Sequence, residues 1–388
     1  MNLEPLSPEQ QLAVDAFGRF LERDIAPTIA KAGESPFPKA QAHELLEALC
    51  EYGVGNGWVP EAAGGQGIGY VASALLYEEL ARCSPDLAGL SYVHEGCTMK
   101  LDRGGSAALK ERYLPGLLSG SLIGCSAVTE PGGGSDVRAM RTRAVRESGG
   151  FRVNGEKTFI SNAPIADVIM LTAKTAADEY TMFLVDPVEH KIETREISKL
   201  GLTRWSLGQI TFSDTWISDE HVIGLQGGGL RETMRGFERA RIFISLLSLG
   251  IARAALDASI RYAKERSQFG RPIGAHQMVQ AMIAEMATEL DASRLLVYRS
   301  VSLLERGVRC NLEACMAKVY ATEAAVRIAS KAIQIHGAYG LTCEFPLERH
   351  FRNARMLTIP DGTSEINQLI VARELLGLDA FGAVTRAT

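Results

Sequence analysis

At 388 residues the chain is long enough to bury a large core and to divide into two or three domains. Its 46% hydrophobic and 22% charged residues are those of a globular protein and exclude a disordered one. A net charge of −5 without any basic run gives no footing for nucleic acid, and no stretch reaches the roughly eighteen uninterrupted apolar residues of a membrane span.

The first ten residues are polar and lack the apolar core of a signal peptide. Seven cysteines, an odd number without CxxC spacing, read as buried reduced thiols, and no histidine pair joins Cys310 and Cys315 into a metal site. The expectation is a cytoplasmic protein with no metal, no nucleic-acid partner and no membrane partner.

In chain order, residues 1–120 read as helical. Ser7-Pro8-Glu9-Gln10 is a capping box with Pro at the first helical position, followed by Leu12, Ala16, Phe17, Phe20, Leu21 and Ile25 at helical spacing. Further helices fit His43–Tyr52, Val71–Cys83 and Ala107–Leu118. From 121 to 230 the texture turns to short β-rich runs: Ile123–Val128, Gly150–Val153, Glu156–Ser161, Val168–Ala173, Tyr180–Val185 and Gln209–Phe212. Asn154-Gly155 is a hairpin signal, and the spacing suggests a small antiparallel sheet. From 231 to 388 long helices return. Ile242–Ile251 is too short to span a membrane and reads as buried helix. Met278, Met282, Met286 and Leu290 repeat every four residues, a stripe that Leu295, Leu296, Leu303 and Leu304 extend.

Three glycine clusters are candidate ligand loops. Gly64–Gly69 does not match GxGxxG and follows no clear strand, and Gly227-Gly228-Gly229 reads as a flexible lead into a helix. Thr129–Asp136 follows a β run and mixes hydroxyls with exposed backbone, which suits either a phosphorylated or flavin ligand or a plain loop. The segment Arg349–Arg373 is a basic helix end, a connector carrying Asp361-Gly362, then a helix opened by Thr363 or Ser364, with Glu365 in its first turn. Asp361 is either a positioned base or part of an ordinary Asp-Gly turn.

The order of these segments resembles the acyl-CoA dehydrogenase family, over residues 126 to 373. The Arg349–Arg373 segment is similar to the family's Arg-rich stretch running into aromatic-Glu-Gly-Thr-Ser, with Asp361 for the catalytic Glu and Pro360 for the aromatic. Ala127–Asp136 looks like the first flavin signature, which implies that Ser126, Val128, Thr129, Gly134 and Ser135 lie along FAD, Ser135 also near the CoA portion of the substrate. Lys157–Asn162 resembles the second flavin strand, with Phe159, Ile160 and Ser161 on the cofactor. Phe237–Arg241 is similar to the family's Phe-Asp-(Lys/Arg)-x-Arg and implies pantetheine on Phe237 and CoA contacts from Glu238 and Arg241. Gly362 and Arg373 join the substrate set, and Thr363 and Glu365 the FAD set. In some branches the base sits at the place of Ala240, which cannot serve.

Two more signatures resemble loops that reach the FAD of a neighbouring subunit: Arg266, Gln268 and Phe269 with Gln277, and Gln334, Ile335, Gly337 and Ala338. A homotetramer is implied, as is an electron-transfer flavoprotein or similar acceptor. The implied fold is α+β, mostly α: an N-terminal helical domain (1–120), a middle antiparallel β domain (121–230) and a C-terminal four-helix-bundle domain (231–388). The implied reaction is α,β-dehydrogenation of an acyl thioester, in which Asp361 removes the α proton, a β hydride goes to flavin N5, and Arg241 and Arg355 are candidates for tuning the base. Asp for Glu and a smaller residue at 360 point to a branched, cyclic or functionalised acyl group. Three other readings stand beside it: a nitroalkane-oxidase-like flavin oxidase, a dehydrogenase of carrier-protein-bound acyl groups (suggested by Ser161–Asp167), and a non-catalytic flavoprotein.

Overall fold

Ser7 opens the described chain as the sequence suggests. Its Oγ accepts from the Gln10 amide at 3.2 Å, and the Gln10 side chain accepts from the Ser7 amide at 3.1 Å. The computed structural model describes residues 7–378, and these fall into two compact units divided between Phe237 and Glu238.

The first unit starts with helices, including Lys39–Cys50, Gly69–Cys83, Pro85–Gly104 and Ala107–Ser119. Phe17, Phe20, Leu21 and Ile25 are buried as their spacing suggests, whereas Leu12 is exposed. An eight-stranded sheet follows: β1 (Gly124–Ala127), β2 (Arg143–Glu147), β3 (Gly150–Ser161), β4 (Val168–Ala176), β5 (Glu179–Val185), β6 (Glu193–Glu196), β7 (Leu207–Ser218) and β8 (Val222–Ile223). Its order is β6-β7-β3-β2-β4-β5-β8, with β1 beside β4.

The sheet is mixed where an antiparallel one was expected, because β1 and β2 both pair with β4 in parallel. Asp167 explains the first pairing: its carboxylate accepts from the Ile123 amide at 2.9 Å, and the Val168 amide bonds Ile123 O, so β1 and β4 start from one point. Asn154-Gly155 makes no hairpin. β3 runs straight through it with a bulge, since the Asn154 side chain bonds both the amide and the carboxylate of Asp214 across the pair. The turn between β2 and β3 falls at Gly149, where φ is 76°.

Alternation along the strands builds two cores, one per face. Ile169, Leu171, Phe183 and Val185 join Phe151, Val153, Ile160 and Phe212 on one side. Val168, Met170, Met182 and Leu184 meet Cys97, Leu101, Tyr113 and Leu117 on the other, so the N-terminal helices and the sheet share a core.

The Gly229–Glu265 helix begins in the first unit and continues into the second. It is long and apolar enough to cross a membrane, yet 78% of its most apolar window is buried inside the protein, the mark of a core helix. In the second unit Gln277–Glu305 packs on Asn311–His336, as do Leu347–Leu357 and Ser364–Leu376. The expected methionine stripe holds only in part. Met286 and Leu290 are buried with Ser293, Val297 and Val301, but Met278 is 81% and Leu295 43% exposed. A strict four-residue repeat drifts by about 40° per step around a helix of 3.6 residues per turn, so it leaves the buried face. Of the cysteines, five are buried, Cys83 is half-buried and Cys343 is exposed.

Candidate functional site

The two flavin-like segments of the first unit are tied to each other. The Thr158 amide donates to Thr129 O at 2.9 Å, and Lys157 Nζ reaches Val128 O and Glu130 Oε1, both at 2.8 Å. Glu130 also accepts from the amides of Arg141 and Thr142, and the Glu130 and Gly133 backbones bond each other across the turn. Burial works to raise the Glu130 pKa, but Lys157 and the two amides outweigh it and hold the carboxyl below its ordinary value. Burial pulls the Lys157 ammonium down, with Glu130 opposing. Gly134 and Ser135 stand exposed beyond this brace, while Ser126, Val128 and Thr129 are half-buried. Lys100 Nζ donates to Ser126 Oγ at 2.7 Å.

Along β3 the pairing with β7 slips between Lys157 and Ile160, and Phe159 takes a φ of 56° there. The bulge throws its ring outward, 60% exposed. Ile160 turns its side chain into the sheet core, so only its backbone can meet a ligand. Ser161 stays half-buried at the strand end. Asn162, at φ 65°, is fully buried: its amide donates to Leu90 O and Gly124 O, and its Oδ1 accepts from Trp205 Nε1 at 2.9 Å. This anchor was not among the expected site residues. Asp167 binds Lys39 and His43, so the polar side chains of Asn162 and Asp167 are spent inside the fold. Phe237 is half-buried on the Gly229–Glu265 helix.

In the second unit Asp361 lies on the turn between the Leu347–Leu357 and Ser364–Leu376 helices, half-buried, with φ 56°. Gly362 follows at φ 95°, where a Cβ would lie 3.0 Å from Asn367 Nδ2; the Asn367 amide bonds Gly362 O at 2.7 Å. Thr363 caps the second helix through Ile366 N, and this helix start, with the Thr363 hydroxyl, lowers the pKa of exposed Glu365. Arg241, buried, donates from Nε to Asp361 O at 3.3 Å and from Nη1 to Asn311 Oδ1 at 2.8 Å. Arg355 donates to Thr358 Oγ1.

Lys318 was not anticipated. It is fully buried on the Asn311–His336 helix and donates to Thr358 O at 2.6 Å. Its signal in the sequence is a lysine on the apolar stripe of Ala314, Ala321 and Ala325, all buried. Glu238 is engaged inside the unit, its carboxylate accepting from the amide and thiol of Cys310. Arg373 stands beside Glu374, which accepts from Arg309 and Asn311.

The remaining loops form one surface. Ser267–Gln268 and Arg271–Pro272 make a hairpin whose tip is Phe269 and Gly270, both at positive φ, and Phe269 is 94% exposed. Arg266 lies over the Tyr339 ring, and Tyr262 stacks on His336 at 4.1 Å, which joins the hairpin base to the Gln334–Gly340 turn. Gln268, Gln277, Gln334, Gly337 and Ala338 are exposed, and Ile335 is buried. Elsewhere Glu189, His190 and His221 bring three potential ligand atoms within 4.8 Å of one another, but Arg112 already holds Glu189 at 2.8 Å.

Family models for the N-terminal, middle and C-terminal domains of acyl-CoA dehydrogenases match residues 7–121, 125–215 and 227–376. The chain belongs to the acyl-CoA dehydrogenase family. It is 37% identical to a benzylmalonyl-CoA dehydrogenase of Aromatoleum aromaticum over 95% of this chain and 98% of that one. Among solved structures, a glutaryl-coenzyme A dehydrogenase in complex with glutaryl-CoA aligns with a TM-score of 0.91 at 35% identity, covering 96% of each chain. PigA with FAD and proline aligns at 0.89 and 32% identity, covering 97% and 99%.

Acyl-CoA dehydrogenases are oxidoreductases that bind FAD. The first unit offers what such a cofactor needs. Exposed Phe159 and the half-buried hydroxyls of Thr129 and Ser161 are of a chemistry that fits a flat apolar ring with polar edges, and the Lys157–Glu130 pair ties strand β3 to the Thr129 loop.

Proposed function

We propose that this acyl-CoA dehydrogenase uses Asp361 to remove the α proton of an acyl-CoA whose acyl group is branched, cyclic or functionalised. The observation that carries the reading is the Asp361 turn itself. A carboxylate at φ 56° beside a glycine that a Cβ would crowd, its own carbonyl held by buried Arg241, has a fixed place just ahead of the Ser364–Leu376 helix. The Cα–H bond breaks, its electron pair stays on carbon and the proton passes to the Asp361 carboxylate. FAD, when bound, would supply the acceptor for the β hydrogen and its electron pair, and the pair left on the α carbon would become the Cα=Cβ double bond. The Asp361 amide serves as a donor to the thioester oxygen, where negative charge builds.

Asp in place of Glu withdraws the carboxylate by about 1.5 Å. Such a shift costs on the order of 100-fold unless substrate or backbone compensates. Pro360 fixes the φ before Asp361 and leaves more room than an aromatic, which favours a bulky acyl group. The names of the relatives, benzylmalonyl-CoA and glutaryl-CoA dehydrogenases, agree with a functionalised chain.

Ser126, Val128, Thr129, Gly134, Ser135, Phe159 and Ser161, with the Ile160 backbone, are the proposed FAD residues of one subunit, together with Thr363 and Glu365. Ser135, Phe237, Gly362 and Arg373 would meet the CoA thioester. Glu238 and Arg241 are the proposed CoA contacts of the second unit; Arg241 also holds the turn through Asp361 O, and Glu238 holds Cys310. The exposed hairpin tip at Phe269 supports a homotetramer in which Arg266, Gln268, Gln277 and the Gln334–Ala338 turn serve a neighbour's FAD. The electron acceptor would be an electron-transfer flavoprotein or a similar protein, in the cytoplasm.

The test is anaerobic titration of the purified yellow protein with a panel of acyl-CoAs while flavin absorbance is followed. Bleaching by branched, cyclic or aryl thioesters ahead of straight chains is the expected result. A flavin left oxidised by every acyl-CoA defeats the proposal and turns attention to carrier-bound thioesters and nitroalkanes.

A further inference from the structure

We infer that Lys318 is a positioning residue for proton abstraction: with Arg241 it clamps the Thr358–Asp361 turn by its carbonyls, and it brings a buried positive charge to act on the Asp361 carboxylate. The inference rests on Asp361 as the base and adds a second cation to its support.

The geometry is that of a bracket. Lys318 Nζ holds Thr358 O at 2.6 Å at one end of the turn, and Arg241 Nε holds Asp361 O at 3.3 Å at the other. Between them lie Ile359 and Pro360, whose ring already fixes one φ. The turn therefore has little freedom, and Asp361 is kept at positive φ, which a non-glycine residue avoids when it can.

A carbonyl contact alone does not account for a lysine here. Lys318 is wholly buried, and a carbonyl does not neutralise an ammonium. An apolar side chain of the same length would fill the space without desolvating a charge. The charged groups that act on Lys318 are Asp361, Glu323 on its own helix and Glu365 on the Ser364–Leu376 helix, all favourable, and Arg241 on the Gly229–Glu265 helix, unfavourable. Of these, Asp361 has the largest effect. Burial brings the ammonium down to about 8, so it remains mostly charged near neutral pH. Attraction is mutual: what Asp361 does for the ammonium, the ammonium does for the carboxylate.

The experiment is the pH dependence of flavin reduction in a single turnover, for wild type, Lys318→Met and Lys318→Gln, with the acyl-CoA that bleaches wild type best. Lys318→Met should lower the plateau rate roughly 10- to 100-fold. It should also move the acid limb up by about one pH unit, with FAD content and thioester affinity changed less than about threefold. Lys318→Gln keeps a donor for Thr358 O without the charge, so most of the plateau rate should return while the limb stays shifted. A wild-type limb in both folded variants overturns the inference. So does loss of the folded flavoprotein in both, which would make Lys318 a structural residue. Asp361→Asn run alongside separates the two readings. If it turns over like wild type the base assignment itself fails; if it is inactive while Lys318→Met is normal, only the role of Lys318 fails.

Discussion

Lys157 and Glu130 meet at 2.8 Å with side chains 0% and 6% exposed, and this buried pair joins the Thr129 loop to strand β3. The Lys157 ammonium also holds Val128 O, so one side chain sets the path of the chain on both sides of Thr129. Lys157→Met would leave Glu130 buried with two backbone donors and no counter-charge. We expect a loss of about 3–5 kcal/mol in denaturant unfolding and a fall in the 450 nm flavin absorbance per protein. Folded Glu130 titrates below its ordinary value of 4.5, so its contribution is present above that pH and lost as pH falls through the lower folded value.

Asp361→Asn tests the base directly. Asn keeps the size of the side chain and tolerates positive φ, so the turn held by Arg241 should survive. The expected result is a loss of roughly 100- to 10,000-fold in flavin reduction with the FAD content of wild type. Unchanged turnover would reduce Asp361 to a turn residue.

Asn162 closes the strand that carries Phe159 and Ser161. Its side chain meets Leu90 O, Gly124 O and Trp205 Nε1, all buried. Asn162→Ala strands these groups and should cost about 2–4 kcal/mol, with a change in Trp205 fluorescence. The Trp205 ring also lies 2.5 Å from where a Cβ on Gly89 would stand, so Gly89→Ala should be similarly damaging.

Phe269 at the hairpin tip is the residue through which the proposed tetramer can be tested. It is 94% exposed in the single chain, on a turn that Phe269 and Gly270 form at positive φ. If the hairpin inserts into a neighbouring subunit, Phe269→Asp should give a smaller species in sedimentation velocity and bind FAD more weakly. A tetramer of wild-type stability would remove the hairpin from the interface.

What could be read from the sequence depended on how local each signal was. The Ser7–Gln10 cap and the Thr363 cap are made within three residues, so their residue types suffice. The turn at Asp361 and the loops at Thr129 and Arg266 were legible through their order along the chain. Residues that act across long separations were not. Asn154-Gly155 looks like a turn until Asp214, far along the chain, claims its side chain. Lys318 and Asn162 look ordinary until partners 40 and 43 residues away bring out their roles. Ile160 sits inside a flavin-like strand, but strand alternation and the neighbouring bulge turn it to the core.

His94 makes the acid side of the stability profile predictable. It is fully buried, with Nε2 at 2.8 Å from Leu117 O and Nδ1 accepting from the Gly124 amide at 3.0 Å. That pair of bonds fixes the neutral tautomer with its proton on Nε2, and burial lowers the pKa from 6.5 to about 4. Between those two pH values the unfolded chain takes up a proton that the folded chain refuses, so stability falls as pH falls. The fall should amount to about 3 kcal/mol from pH 6.5 to 4. Because Gly124 opens β1, the loss should loosen the strand that leads to Ser126 and Val128. His94→Gln offers a donor and an acceptor but no titration, so its denaturant midpoint should vary less with pH over that window. An equal slope in wild type and variant would place the acid sensitivity elsewhere, with Glu130 the next group to examine.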